Sequence, residues 1–467
     1  MKNNANANRT GVILGLLLIL SIMTPLAGCS SKPSQSASGQ VTAGGLAFPG
    51  VTVTLSGPSV YTTTTDAGGN YIFSDVQEGT YTLTPALTGY TFTPTSRAVF
   101  IYGMDATAFN FDGGVVDRIA TTTHTVYAKR DGTLWVWGKN DDGQLGDGTT
   151  TSRTTPVKIT GVSNIKSVAA GYDHTVVLTT EGKIYSWGSN SNGQLGDGST
   201  TGRTTPALVV GTNLSNIQAI DAGYKYTIAL RGDGTIWTWG YNNKGQLGNN
   251  TQTDSYTPQQ VTTLSGSVMV SIAAGYDHAL SARNDGTVWG WGNNNNGQLG
   301  NNTTTDSLIP VQVSSLAKAS DVAAGNLYSL ALLKDGSVWA WGHNTLGELG
   351  DGTTTNHPTP VQVIDLVSTV SIVAGYDHAV ARLNNGTVWT WGDNSNGQLG
   401  DNSTTGRTKP QQVFTLSGAV AVAAGRDDTL ALLKTDDALW SWGWNFNGQL
   451  GDGAMTERWF PVPIQVP

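Results

Sequence analysis

Cysteine is almost absent from this chain. Cys29 is the only one among 467 residues, so no intramolecular disulfide can form. Charge is scarce as well: Asp, Glu, Lys and Arg make up 12% of the sequence, about half the usual share. The fold must therefore be held by packing and backbone pairing. Lys/Arg clusters are missing too, and acids outnumber bases 33 to 25, which argues against a nucleic-acid partner because phosphates need a basic surface. No Gly-x-Ser-x-Gly elbow, His-Glu-x-x-His, Cys-x-x-Cys or P-loop occurs. The expectation is a protein that is not an enzyme and uses no cofactor.

One apolar run exists, Gly11 to Met23, and it is too short to span a bilayer. Lys2 and Arg9 precede it and Leu26-Ala27-Gly28-Cys29 follows, an arrangement that resembles a bacterial lipoprotein signal. The resemblance implies that residues 1–28 are a signal peptide cut before Cys29, which then carries the acyl chains. It also implies a lipid-anchored place in the bacterial cell envelope. Ser30 after the cysteine implies outer-membrane sorting where the organism has such a membrane. Loss of Lys2 and Arg9 leaves 23 bases against 33 acids, a net charge of −10. Only the acyl anchor would hold such a chain near anionic lipid. The Ser-rich stretch 29–38 reads as a tether.

What the chain has in abundance is glycine, 60 residues, together with Thr, Ser, Asn and 15 Trp. Between residues 39 and 112, alternating runs such as Val51-Thr52-Val53-Thr54-Leu55, Tyr71-Ile72-Phe73 and Tyr81-Thr82-Leu83 sit between Gly, Pro and Asp turns. This is the pattern of a small β-sandwich. Asp66-x-Gly68-Gly69-x-Tyr71-x-Phe73 and Gly79-x-Tyr81-x-Leu83 resemble the carboxypeptidase regulatory-like family, which implies a transthyretin-like accessory module acting as a spacer or in adhesion. The stretch 112–117, "DGGVVD", reads as the boundary between this module and the next domain.

Residues 117–467 repeat. Trp-Gly pairs begin at Trp137, Trp187, Trp239, Trp291, Trp341, Trp391 and Trp442, and each Trp is followed 19 residues later by a proline, from Pro156 to Pro461. Thirteen residues before the Trp stands His124, His174, Tyr226, His278, Tyr328 or His378, with Asp428 at 14 in the last unit. Four strand-like pieces per period, seven times over, predict an all-β fold: a seven-bladed β-propeller preceded by the small sandwich. Because the chain enters on three strand-like pieces and leaves on a lone "FPVPIQV", one blade is expected to combine both termini. The propeller is expected to be monomeric.

The string Asp-Gly-x-[Val/Ile/Leu]-[Trp/Tyr]-x-Trp-Gly-x-Asn-x-x-Gly-Gln-Leu-Gly, with Ala-Ala-Gly-x-x-His before it, resembles the regulator of chromosome condensation repeat. That resemblance implies the seven-bladed propeller. Its best-known member is a nuclear exchange factor for a small GTPase that also binds nucleosomes, so it further implies a guanine-nucleotide exchange factor or other GTPase regulator. Exported bacterial members include an inhibitory protein that binds β-lactamase through its loop face, a precedent that suits an envelope protein better.

The repeated string itself reads as frame. Its seven Trp residues are packing anchors, its glycines suit tight turns, and the Asn at Trp+3, from Asn140 to Asn445, can bond its own turn. Asp147, Asp197, Asp351 and Asp452 in the Gly-Asp-Gly endings, and Asp401 in Gly-Asp-Asn, lack the recurring spacing of a calcium loop, and four His spread around a ring cannot share one ion, so no metal is expected. The His are expected to make local structural hydrogen bonds.

A site should lie where copies differ. If strands alternate in direction, the loops after strands one and three emerge on one face. That face carries Tyr172-Asp173, Tyr224-Lys225, Tyr276-Asp277, Asn326-Leu327, Tyr376-Asp377 and Arg426-Asp427, and the long loops add Tyr241, His343, Leu346, Trp444 and Phe446. Aromatic residues and Arg are enriched in binding hot spots, so this is the candidate protein- or glycan-binding face, with Trp444 and Phe446 foremost because no other copy has them. The competing reading is an envelope enzyme working from an acidic mouth around Asp173 and Asp277.

Overall fold

The computed structural model describes residues 35–467 apart from 44–45, 88–89, 94–95, 103–104, 108, 116–118, 130, 211–213, 265 and 435–437. The signal segment and Cys29 lie outside the described residues. No helix among the described residues is long and apolar enough to cross a membrane.

In the N-terminal unit, Val53 and Leu55, Tyr71 and Phe73, and Tyr81 and Leu83 are buried while their neighbours are more exposed, as period-two strands with one face on a core require. One sheet has the order Val60–Thr64, Thr52–Ser56, Gly79–Ala86, Arg97–Ile101. The other has Leu46–Ala47, Gln35–Ala43, Phe111–Val115, Tyr90–Thr93, with Asn70–Val76 also paired to Gln35–Ala43.

Both edges of this unit differ from expectation. Residues 35–38 are not tether but strand: Ala37 lies opposite Phe73 and is fully buried. Their small polar composition hid a strand that buries Gln35 and Ala37 alternately. At the other end, residues 112–115 continue the last strand, with Gly113 and Gly114 opposite Phe92 and Thr91. A glycine pair read as part of the domain boundary is here extended backbone paired with the strand Tyr90–Thr93.

Among the described residues the rest forms seven four-stranded antiparallel sheets in chain order, blades 1 to 7, spanning 119–159, 165–208, 217–260, 269–312, 319–362, 369–412 and 419–464. In blade 2 the second strand, His174–Thr179, is buried at every position, because both its faces meet neighbouring blades, whereas the outermost strand, Arg203–Leu208, buries none. The first strands of all seven blades line a central channel of about 460 Å³.

No blade combines the two termini. The piece after each long loop pairs with the third strand of its own unit, as Arg153–Ile159 does through Val136 opposite Val157, so the last strand Arg458–Ile464 completes blade 7 and blade 1 has its own. The ring closes by side contact instead. Each anchor Trp, with no exposed surface, donates its Nε1–H to a backbone carbonyl of the preceding blade: Trp187 to Gln144 (2.8 Å), Trp239 to Gln194 (3.0 Å), and across the closure Trp137 to Gln449 (2.8 Å). The glycine of Gln-Leu-Gly makes room for this. A Cβ on Gly146 (φ +75°) would stand 2.5 Å from Nε1 of Trp187, and the equivalent atom on Gly451 2.6 Å from Trp137.

The marker residues stitch the same joints. His124 Nε2 meets Thr175 Oγ1 (2.7 Å), His174 meets Thr227 (3.0 Å), His278 meets Ser329 (2.9 Å) and His378 meets Thr429 (2.9 Å). These bonds are structural, as expected, but they reach the next blade rather than the local turn. Thr175 in turn donates to the Gln144 carbonyl (2.7 Å), so its oxygen accepts from the histidine, and Nε2 carries the proton. Burial lowers the imidazole pKa to about 3 in His124, His174 and His278, and to about 4 in His378.

Candidate binding face at the propeller mouth

The loops after the first and third strands do emerge together. Lys139, just past the third strand of blade 1, reaches Asp173, which follows the first strand of blade 2, at 2.8 Å. Its ammonium also lies 5.4 Å from the centre of the Tyr172 ring. In blades 2 to 7 a short Gly-x-x turn follows the first strand and sets its middle residue at the mouth of the channel; blade 1 has Thr121-Thr122-Thr123 there.

The four tyrosines of that turn converge. Tyr172 and Tyr224 have ring centres 4.9 Å apart, Tyr224 and Tyr276 stack at 4.1 Å with 22° between planes, and Tyr276 meets Tyr376 edge-on at 5.6 Å. Arg426 continues the arc, its guanidinium 5.7 Å from the centres of both Tyr376 and Trp444, with Nη1 3.5 Å from the Tyr172 hydroxyl. The sequence showed tyrosines on one face, not that they spend their ring faces on one another. They form a lid over the channel, and the contact surface passes outward to Trp444 and Phe446, which meet edge-on at 5.9 Å. Phe446 is 58% exposed and Trp444 half-buried.

Behind the lid lie the acids. Asp277, Asp377 and Asp427 are pushed up to about 6 by burial, to which Asp306 adds at Asp277, Glu348 at Asp377, and Asp393 at Asp427; Lys244 opposes it at the first and Arg426 at the last. Asp277 also accepts from Gln246 Nε2 (3.1 Å). Tyr241 shares this face, with its backbone N–H on the Lys225 carbonyl (2.9 Å); burial first, then Asp277, raises the pKa of its hydroxyl. Sequence reasoning singled out Asp173 without its partner Lys139, and placed Tyr224 on this face without showing that it sits at the centre of a stack. The tyrosine column at one repeat position was the available signal for it.

The Gly-Asp carboxylates of the long loops are engaged elsewhere. Asp147, Asp197, Asp401 and Asp452 pair with Arg153, Arg203, Arg407 and Arg458, six residues on, and Asp351 with His357. Where the position is Asn249 or Asn301, the residue six later is Ser255 or Ser307. The Asn at Trp+3 clamps the same loop: Asn190 accepts from Leu195 N (2.9 Å) and donates to the Ser199 and Thr201 carbonyls (3.1 and 3.2 Å).

Comparison with known proteins matches two family models: an RCC1-like domain over residues 102–363 and 266–467, and a carboxypeptidase regulatory-like domain over 36–112. A search of curated protein sequences gives no match. Among solved structures, human WBSCR16 is 21% identical with a TM-score of 0.65, covering 72% of this chain and 94% of that one. Prp20p of Saccharomyces cerevisiae, characterised for its binding to Gsp1p and histones, is 25% identical with a TM-score of 0.64, covering 75% of this chain and 88% of that one.

Proposed function

This chain belongs to the RCC1-like domain family, and from that premise we propose that it is a non-catalytic, lipid-anchored protein of the bacterial cell envelope whose propeller mouth binds a partner protein. A fold of this kind hosts unrelated functions, so the reading rests on the surface. The observation that carries it is the run Arg426–Trp444–Phe446 laid against the tyrosine lid. Trp, Tyr and Arg are the residues that dominate protein-binding hot spots, and Phe446 holds an exposed ring at the outer end.

A glycan is the weaker ligand here. Sugars stack on open aromatic faces, and in the lid Tyr224 and Tyr276 cover each other. The lipoprotein-like N-terminus supports the anchor, and the sandwich serves as spacer. The likeness to Prp20p, which binds Gsp1p, favours a second reading, regulation of a small GTPase, tested by nucleotide release from bacterial GTPases with and without the chain. The main reading is tested by capture from envelope extract with the full chain and with its Trp444→Ala/Phe446→Ala variant. A protein retained by the first and lost by the second is expected; equal retention by both refutes the assignment of this face.

A further inference from the structure

Blade 5 departs from its siblings at the mouth in several places at once. It has Asn326-Leu327 where four others have Tyr in the first of these positions, His343 two residues after its Trp, and Glu348 where Gln144, Gln194, Gln246, Gln298, Gln398 and Gln449 stand in the other six. The fold explains the glutamine. Its Oε1 accepts the backbone N–H two residues earlier, as Gln298 does from Asn296 (2.9 Å).

Glu348 does the same job with one oxygen, Oε2 taking the Leu346 N–H at 2.8 Å, and it is fully buried. The negative charge and the second oxygen are therefore not needed by the frame, and burying a carboxylate in place of an amide is costly unless something offsets it. That second oxygen, Oε1, faces His343 Nδ1 at 2.6 Å. Asp377 comes in from blade 6, and one donor atom from each of the three side chains lies within 4.8 Å of the others.

Each residue also has an outer partner that fixes its inward atom. His343 Nε2 is 2.9 Å from Thr345 Oγ1, Glu348 Oε2 is held by Leu346, and Asp377 takes a side-chain hydrogen bond from Asn326. Ligating histidines and carboxylates are oriented in this way in metal sites. We propose that His343, Glu348 and Asp377 form a binding site for a first-row divalent metal ion, with His343 Nδ1, Glu348 Oε1 and an Asp377 carboxylate oxygen as ligands.

One imidazole nitrogen and two carboxylate oxygens suit zinc and its first-row neighbours, and three protein ligands leave room for water or a group from a partner. Without the ion, the Glu348 and Asp377 carboxylates share the single His343 imidazole. A divalent cation neutralises both. The site needs no contribution from Trp444 or Phe446 and stands whether or not a protein docks there.

The test uses the full chain with Zn²⁺ in equilibrium dialysis, and Co²⁺ as a probe whose visible spectrum reports ligation. The variants are Glu348→Gln, which restores the residue of the other six blades and keeps the Leu346 acceptor, and His343→Asn, which copies Asn293 of blade 4. One ion per chain is expected, with a Co²⁺ visible band, and each variant should weaken binding by at least the roughly 10–100-fold that losing even an outer partner costs. Equal affinity in wild type and Glu348→Gln, or no Zn²⁺ retained by the wild type beyond that held by the variants, would overturn the site and leave a His343–Glu348 ion pair alone.

Discussion

The joint between blades 3 and 4 can be converted into the joint found between blades 1 and 2, and the outcome has a calculable size. His in one blade faces Thr or Ser in the next at four joints, whereas Tyr226 and Tyr328 face Ala279 and Ala379 and pass their hydroxyls over the small side chain to the carbonyls of His278 (2.6 Å) and His378. Tyr226→His alone removes a buried hydrogen bond, worth about 0.5–1.5 kcal/mol, and leaves an imidazole N–H facing a methyl group, an unsatisfied donor costing about 1–3 kcal/mol. The expected loss is thus about 1.5–4.5 kcal/mol. Adding Ala279→Thr supplies the missing acceptor, and the pair should show a favourable coupling of about 1–3 kcal/mol, within the range for directly contacting residues. At roughly 2 °C per kcal/mol for a domain of this size, thermal unfolding followed by tryptophan fluorescence resolves the single variants and the double. If the two changes simply add, or the double is worse than their sum, the pairing of His with Thr and of Tyr with Ala is not what holds the joints.

The remaining predictions concern charge, sterics and anchoring. His174 has its folded pKa lowered by burial to about 3, against 6.5 when free, so its contribution is complete above pH 6.5 and is lost as pH falls from there toward 3. His174→Gln should therefore flatten the acid side of a melting-temperature profile relative to wild type by about 1.4 kcal/mol per pH unit in that window; parallel profiles would contradict a neutral buried imidazole. Gly146→Ala forces a Cβ to within 2.5 Å of Trp187 Nε1 at a positive φ, and should cost at least the roughly 1–2 kcal/mol of the backbone conformation alone, read in the same unfolding assay. Cys29→Ser should abolish palmitate labelling and release the chain from membranes; labelling that persists would remove the lipoprotein reading.

The frame was legible in the sequence because it repeats: the Trp, Asn and Gly positions recur at fixed spacing, and in the structure they do at every blade what they do at one. The closure was misread for a definite reason. The piece after each long loop carries its proline 19 residues from the Trp, and nothing in that spacing tells whether the strand belongs to the unit before or after; only the pairing of Val136 with Val157 decides it. The partner rule between His or Tyr in one blade and Thr, Ser or Ala in the next was present in the sequence, about 50 residues apart, but a residue column reveals it only once adjacent blades are known to touch there.

The mouth was half legible. The face was placed by strand alternation, but the stacking of Tyr172, Tyr224, Tyr276 and Tyr376 depends on how narrow the ring is at that level, a distance that no single turn encodes. The tyrosines cover one another in a lid, and the exposed ring of the candidate face is Phe446. Glu348 was the clearest signal passed over, one charged residue in a column of six amides.

The most direct test of the binding face is photo-crosslinking in living cells, with a photoreactive phenylalanine placed either at position 446 or at position 367. Val367 is 74% exposed and lies in the connection between blades 5 and 6, on the opposite side of the ring. A discrete protein adduct from position 446 and none from position 367 is the predicted result. The reverse pattern, or the same adducts from both, would contradict a partner at the mouth.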